Sequence, residues 1–394
     1  MGRQPALGVA ELESIYGAGH VRRLPAAALL DLDVNDINFK RLGGTIKLAK
    51  VLTILPTTKW PQLEKYLVQT VPEHLKYLPE GKFTLGLSVY DLNVSPKTIN
   101  DCLLRLKKVI KGAGRPARVI PNQRPALSSA QVLHNKLTSK GAWELLFVRD
   151  GQRTILAQTM FVQDIEAYAA RDQARPKRDA RIGMLPPKLA QIMINLAAPA
   201  AKSKKQKAIR ILDPFCGTGV ILQEALLMGF EVAGLDIDQR MIDYSRQNLQ
   251  WLVTQNPHIQ GSVALDVADA TKDPLPSFSA IASEIYLGKP LSKLPPPDEL
   301  EQIINGCNDL LEKFLANLAK QQPLVKRQTK RQICLAVPAW HQPDGNFIHL
   351  PLLAKLTDMG YTRLSFKHVT NDELIYFRQD QTVARELLVL RRQE

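Results

Sequence analysis

The stretch Asp213-Pro-Phe-Cys-Gly-Thr-Gly219 sets an acid at the end of an apolar run and two glycines before the helix-like "VILQEALLMG". Gly217 and Gly219 allow a backbone to approach a ligand closely and to present its amides at a helix N-terminus. Asp213 is able to accept a hydrogen bond from a ligand ammonium or from the amides of its own loop. About twenty residues on, "EVAGLDID" ends in Asp236 and Asp238, the separation at which an acid meets ribose hydroxyls in doubly wound folds. "VALDVADAT" then offers Asp269 after a third apolar run, where a carboxylate could receive an adenine amino group. The loop is neither G-x-G-x-x-G nor a Walker loop, since no Lys follows the second Gly and no third Gly stands at the expected offset. Dinucleotide and ATP are therefore disfavoured. A ligand with an amino acid, a ribose and an adenine fits these three acids, and S-adenosylmethionine is such a ligand.

A fourth apolar run closes on "IASEIYLGKP", where Ser283, Glu284 and Tyr286 are the groups able to act on a substrate. No cysteine follows this run, which argues against cytosine-C5 chemistry. Cys102, Cys216, Cys307 and Cys334 are scattered without a CxxC pair and read as reduced packing thiols. The histidines form no HxH or HExxH pattern, so no metal is expected.

These groups need elements to hold them. From "AIRIL" onward, strands and helices alternate, which specifies a parallel, doubly wound sheet. The chain closes on "LIYFRQDQTVARELLVLRR", two strands turned at 379–381, an antiparallel ending unusual for dehydrogenases. The N-terminal part mixes short strands and helices, among them "TIKLAKVLTILP", "KFTLGLSVYDL", a helix capped by Ser95, and a hairpin around Asp150-Gly151. Length of 394 residues implies two or three domains. No apolar run is long enough to span a bilayer and the start lacks a signal peptide's apolar centre, so a cytoplasmic protein is expected. The formal net charge of +14 points to a polyanionic partner. Basic tracts lie at 171–183 and at 201–208.

"DPFCGTG" with "GLDID" resembles the class I methyltransferases that modify amino groups of nucleic acids. With "RPKRDARIGMLPPKLAQIMINLA" and "GRQPALGVAELESIYG", the whole chain is similar to the THUMP-domain tRNA guanine-N2 methyltransferases that act on the guanosine at tRNA position 10. The resemblance implies an α/β fold: a ferredoxin-like N-terminal module at 1–65, a THUMP RNA-binding domain at 66–165, a basic linker at 166–183, and a Rossmann-like, S-adenosylmethionine-dependent methyltransferase domain at 184–394. It assigns Asp213, Gly217 and Gly219 to the methionine part of the cofactor, Asp236 to its ribose and Asp269 to its adenine. Leu185, Pro186, Phe215, Thr218, Ile237 and Ala270 complete the surroundings, with the segment 184–187 closing over them. tRNA is the implied partner, with no membrane; the oligomeric state is not encoded in any motif, and a monomer is the default.

The resemblance breaks at the catalytic motif. The family carries Asp-Pro-Pro-Tyr at the end of the fourth strand, where the acid and a carbonyl orient the amine and the aromatic ring stacks on the base. Here "SEIYLG" lacks both prolines. Without a gap, Glu284 takes the acid's place and Leu287 the aromatic one; with one inserted residue, Ser283 and Tyr286 do. Orientation and desolvation matter more than basicity for an exocyclic amine, so Glu284 and Tyr286 could still serve. Two other readings stay open: a noncatalytic RNA-binding protein with a retained methyltransferase fold, and a changed target base. For RNA contact the candidates are Arg171, Arg175, Lys177, Arg178 and Arg181, and in the THUMP region Lys108, Lys111 and Arg115, because Lys and Arg pair with phosphate.

Overall fold

Hydrophobic alternation and helix caps set the elements, and these fall into two units in a computed structural model that describes residues 1–179, 184–198, 209–321 and 332–393. The first unit comprises Met1–Pro5, Gly19–Lys40 and Thr45–Ala167; the second comprises Ala6–Ala18, Arg41–Gly44 and Tyr168–Glu394.

The first unit is built on a five-stranded sheet and two long helices, beside the two-stranded pair Val21–Arg23 with Ala28–Leu30 and the short helix Ser129–His134. Its elements are β1 (Lys47–Leu55), α1 (Trp60–His74), β2 (Phe83–Tyr90), α2 (Pro96–Gly112), β3 (Ala117–Val119), β4 (Ala142–Asp150) and β5 (Arg153–Val162). The strand order is β1-β5-β4-β2-β3, with β2 parallel to β3 and β4 and the other pairs antiparallel. Ser95 caps α2 by accepting from the Thr98 amide at 3.1 Å, with Pro96 at the first helical position. Leu63, Leu67 and Val71 of α1 pack with Ile99, Leu103 and Leu106 of α2 on the strand residues Leu85, Leu87 and Phe147. Inside the sheet the Glu144 carboxylate accepts from Lys47 Nζ and, at 2.6 Å each, from Ser88 Oγ and Thr159 Oγ1.

This unit corrects the expected domain boundary. Residue 65 falls inside α1, and β1 pairs with β5 in a register such as Leu48↔Phe161, so both expected modules contribute to one sheet. Pairing over more than a hundred residues leaves no local signal in the sequence. The expected linker also begins as helix, because α3 spans Ile165–Gln173.

The second unit contains α4 (Pro187–Ala197), β6 (Arg210–Asp213), α5 (Val220–Leu227), β7 (Glu231–Asp236), α6 (Gln239–Gln255), β8 (Val263–Val267), β9 (Ala280–Glu284), α7 (Pro297–Gln321), β10 (Gln332–His341), β11 (Tyr361–Arg363) and β12 (Val383–Arg392). The order β8-β7-β6-β9-β10-β12-β11 is parallel from β8 to β10, and β12 runs antiparallel between β10 and β11. The expected C-terminal hairpin forms, with Ile375 and Tyr376 opposite Glu386 and Arg385. Leu212, Ile281, Leu335 and Val337 share a core with Leu311, Phe314, Leu315 and Leu318 of α7.

From Ala6 onward the N-terminal helix Pro5–Tyr16 belongs to this second unit, another departure from the expected module at 1–65. Its buried Glu11 accepts from the Gly43 and Gly44 amides at 2.9 Å each and from Asn195 Nδ2 at 2.7 Å. A Cβ on Gly44 would lie 2.4 Å from Gly8 Cα, a backbone atom that cannot yield, so only glycine fits. Glu13 accepts from the Lys367 amide at 2.5 Å and the His368 amide at 3.1 Å, tying the same helix to the C-terminal part.

Candidate functional site

β6 ends in Asp213 and β7 in Asp236, Asp269 follows two residues after the end of β8, and β9 ends in Glu284. Ligands of open α/β sheets bind outside the carboxyl ends of such strands, where the strand order reverses. Here that place is a cavity of about 460 Å³ lined by Asp213, Phe215, Gly217, Thr218 and Asp236, with Ile237, Asp269, Ala270 and Leu185. All of these belong to the expected cofactor set. Pro186 and Gly219 are not on the wall. They are the N-caps of α4 and α5, each next in sequence to a residue of the wall, Leu185 and Thr218. Gly219 has φ +81°, and a Cβ there would meet Ser245 Oγ at 2.8 Å, so the loop can turn into α5 only with glycine.

The acids differ in how they are held. Asp213 Oδ1 accepts from Ser283 Oγ at 2.5 Å and from the Phe215 amide at 3.3 Å. The loop's own amide is therefore one of its partners. Burial pushes the Asp213 carboxyl up to about 7, against the pull of those hydrogen bonds. Asp236 accepts from the Gly217 amide at 2.9 Å and the Asp238 amide at 3.0 Å, which stitches the glycine loop to β7. Burial raises Asp236 as well. Asp269 is the opposite case: Thr271 donates to it through its amide at 3.0 Å and its hydroxyl at 2.6 Å, and the carboxyl is held below the usual range, chiefly by the Thr271 hydroxyl.

Glu284 is the last residue of β9 and lies on the cavity wall, as do Tyr286, Leu287 and Gly288. Arg385 Nε of β12 donates to Glu284 Oε1, with the two side chains 6% and 16% exposed. Burial raises the Glu284 carboxyl and Arg385 pulls it back down. Tyr286 is 56% exposed. Ser283 is fully buried and off the wall, its hydroxyl spent on Asp213. Successive strand residues point to opposite faces, so only one of Ser283 and Glu284 can face the cavity at this strand end.

Sequence reasoning missed Arg240, Asp179 and Leu310 on the same wall. Arg240 was within reach, two residues past Asp238. Asp179, 3.4 Å from the Arg240 guanidinium, and Leu310 of α7 arrive only through the tertiary fold. All four cysteines are buried, and burial pushes the Cys216 thiol far up, which removes it as a nucleophile.

Several expected RNA contacts are internal braces. Arg171 donates to the buried Glu224 at 2.7 Å and stacks over Tyr168 at 4.4 Å. Arg175 is 3% exposed, with its guanidinium 2.8 Å from Met184 Sδ. Arg115 donates to the Leu75 carbonyl at 2.7 Å, and also to those of Pro79 and Gly81. Counting basic residues cannot reveal acids and carbonyls that the fold brings to them. Lys108, Lys111 and Arg178 are exposed, and Lys177 is half-buried with its ammonium 5.5 Å from the Tyr244 ring centre. Arg181 and the tract 201–208 lie outside the described residues.

Among the described residues no helix is long and apolar enough to cross a membrane, and no group of His, Cys, Asp or Glu is arranged for a metal ion. Residues 175–301 match a family described as RMKL-like, methyltransferase domain. The chain is similar to the tRNA (guanine(10)-N2)-dimethyltransferase of Methanothermobacter thermautotrophicus, 42% identical over 118 residues, or 29% of this chain and 32% of that protein. The enzyme of the same name from Pyrococcus abyssi is 34% identical over 137 residues, covering 34% of this chain and 37% of its own. The alignments thus span about a third of these relatives. Among solved structures, TrmN from Thermus thermophilus aligns over 99% of this chain and 97% of its own, at 16% identity and a TM-score of 0.48.

Proposed function

Starting from the methyltransferase domain matched over residues 175–301, we propose that this chain transfers a methyl group from S-adenosylmethionine to the exocyclic N2 amine of a tRNA guanosine, at position 10 as the names of its relatives specify. The observation that carries this reading is one cavity joining Asp213, Asp236 and Asp269 to Glu284 and Tyr286. Its volume of about 460 Å³ suits a small-molecule cofactor. Asp213, an acid of raised affinity for protons, faces the cofactor's ammonium, Asp236 its ribose, and the wall at Asp269 and Ala270 its adenine. When bound, the cofactor supplies an electrophilic methyl carbon on its sulfonium.

The protein's own residues do the rest. Glu284 accepts from the amine N–H and holds the nitrogen toward the methyl carbon. On transfer the N–C bond would form as the methyl–sulfur bond breaks, leaving a neutral thioether, and the amine would shed one proton to the Glu284 carboxylate or to water. Tyr286, exposed beside it, offers a ring on which a flipped base stacks. Glu284 at the end of β9 supports the register without a gap, with Tyr286 serving in place of Leu287. The first unit contains the segment 66–165 compared with THUMP domains, and its exposed Lys108 and Lys111 hold RNA phosphates. The protein works as a monomer in the cytoplasm.

The test is methyl transfer from labelled S-adenosylmethionine to unmodified tRNA, with the product nucleoside identified by mass spectrometry. Labelled N2-methylguanosine, lost on Glu284→Ala, is the expected result. A different labelled nucleoside would mean a changed target base. Binding of cofactor and tRNA without any labelled nucleoside would establish the second reading, an RNA-binding protein that kept the fold, which the absence of both prolines from "SEIYLG" favours.

A further inference from the structure

A carboxylate at the end of a strand, followed by a flexible loop, is free to rotate away from a substrate. Ile285, the next residue, is buried and donates to the Ala336 carbonyl, but from Tyr286 onward the chain leaves the sheet: Tyr286 is exposed and Leu287 and Gly288 are half-buried, with no proline before Pro290. Yet Glu284 is held from two strands away. Its row in the sheet runs Glu284↔Ala336 on β10 and Ala336↔Leu387 on β12. Arg385, two residues before Leu387, therefore presents its side chain on that same face. Two strand spacings, about 9.6 Å, separate β9 from β12. The intervening β10 offers Ala336 and Pro338 at the crossing, and Pro338 is the residue paired with Arg385. With side chains this small between them, the long Arg385 stem lies across β10 and its guanidinium reaches Glu284 Oε1.

From this juxtaposition we infer that Arg385 is the positioning residue of the methyl-transfer site: it fixes the Glu284 carboxylate toward the cavity by a buried ion pair across β10. The inference rests on the reading of Glu284 as the acceptor for the substrate amine. Arg385 touches neither substrate nor cofactor in this assignment. It acts by confining a carboxylate whose other oxygen serves the amine, and by keeping it ionised where burial opposes charge. Guanidinium suits the task because its fork is planar, permanently charged and weakly hydrated.

Among the described residues, the charged groups acting on Glu284 are Arg385 from β12 and Asp213 at the end of β6. From α4, which packs on the same strands, the single titratable side chain is Lys188, and it lies over the Tyr168 ring at 5.0 Å. Removing Arg385 thus leaves Glu284 with burial and a neighbouring acid, both of which favour its protonated form. The sign is fixed: the acid limb of the rate profile must move to higher pH.

The experiment compares the full chain with R385M and R385K, measuring kcat for methyl transfer from pH 5.5 to 9.5, cofactor affinity, and the Glu284 carboxyl by ¹³C NMR with E284Q as the assignment control. In R385M the acid limb and the carboxyl titration should both move up by about one unit or more, while cofactor affinity changes less than about twofold. R385K should restore the limb, since it keeps the charge, but recover only part of kcat, since it loses the fork. A uniform fall at every pH, or an unmoved carboxyl titration, overturns the inference. Should R385M not fold, R385K decides, because full kcat in a variant without the fork would overturn positioning. Should the wild type methylate no tRNA, the proposed function fails, and the carboxyl titration still decides whether Arg385 governs Glu284.

Discussion

Each unit buries a carboxylate against a base, and the two cases are built differently. In the first unit Glu144 receives Lys47, Ser88 and Thr159, and Lys47 Nζ also donates to the Leu127 carbonyl at 2.8 Å. Donors converge on both oxygens, so the cluster locks β1, β2, β4 and β5 together. In the second unit Asp213 and Glu284 sit at strand ends on a cavity wall, and each has one side-chain donor, Ser283 for Asp213 and Arg385 for Glu284. A carboxylate that the fold satisfies fully is a brace. One that the fold holds by one side and leaves facing a cavity is equipped to take a ligand.

The largest effect that tests this contrast is on stability. Glu144→Ala strands Lys47 in the sheet and should destabilise the first unit by about 3–5 kcal/mol, read by urea denaturation, with cofactor affinity unchanged. Loss of cofactor binding with an intact first unit would erase the distinction. Next comes Asp236→Ala, which frees the Gly217 amide and removes the proposed ribose acceptor. Cofactor affinity should fall by about a hundredfold, or roughly 2.7 kcal/mol, with little change in the midpoint of unfolding; unchanged affinity in calorimetry would remove the assignment.

A pH dependence follows from Asp213, whose carboxyl is raised to about 7. Because the folded value is the higher one, this group's contribution to stability is full below the ordinary carboxylate range and is lost as pH rises through about 7. A cationic ligand favours the ionised form, so cofactor should bind about tenfold more tightly at pH 8 than at pH 6, with protons released near pH 7. Calorimetry in buffers of different ionisation enthalpy measures this, and Asp213→Asn should flatten it. The smallest effects belong to the basic residues. Lys108→Ala and Lys111→Ala should each weaken tRNA binding a few-fold and reduce its salt slope by about one. Arg171→Ala should instead lower stability, since it leaves the buried Glu224 carboxylate without its ion pair and with only Gln191 as a side-chain donor among the described residues.

The N-terminal half shows where local reading stops. Its strands and helices follow from alternation and caps: Ser95 and Pro96 begin α2, and Asp150-Gly151 turns β4 into β5. Their grouping does not, because β1 closes on β5 and the helix Pro5–Tyr16 joins the other unit through Glu11 and Glu13. The same division runs through the site. Asp213, Gly217, Asp236 and Asp269 were legible as cavity-lining residues because each stands near a strand end or a helix start, where chain direction alone fixes what faces the cavity. Arg385 was not legible as the partner of Glu284, for it lies 101 residues further along the chain.

By itself, then, the sequence determined the strand-loop-helix order, the acids at the strand ends and the choice of cofactor, since these depend on neighbours within a few residues. Only the tertiary structure decided that Ser283 serves Asp213 while Glu284 faces the cavity, that Arg171, Arg175 and Arg115 are braces, and which unit owns the first helix. Those outcomes depend on which distant side chain fills the space beside each group. Burial and electrostatics are set by that neighbour, and chain order does not name it.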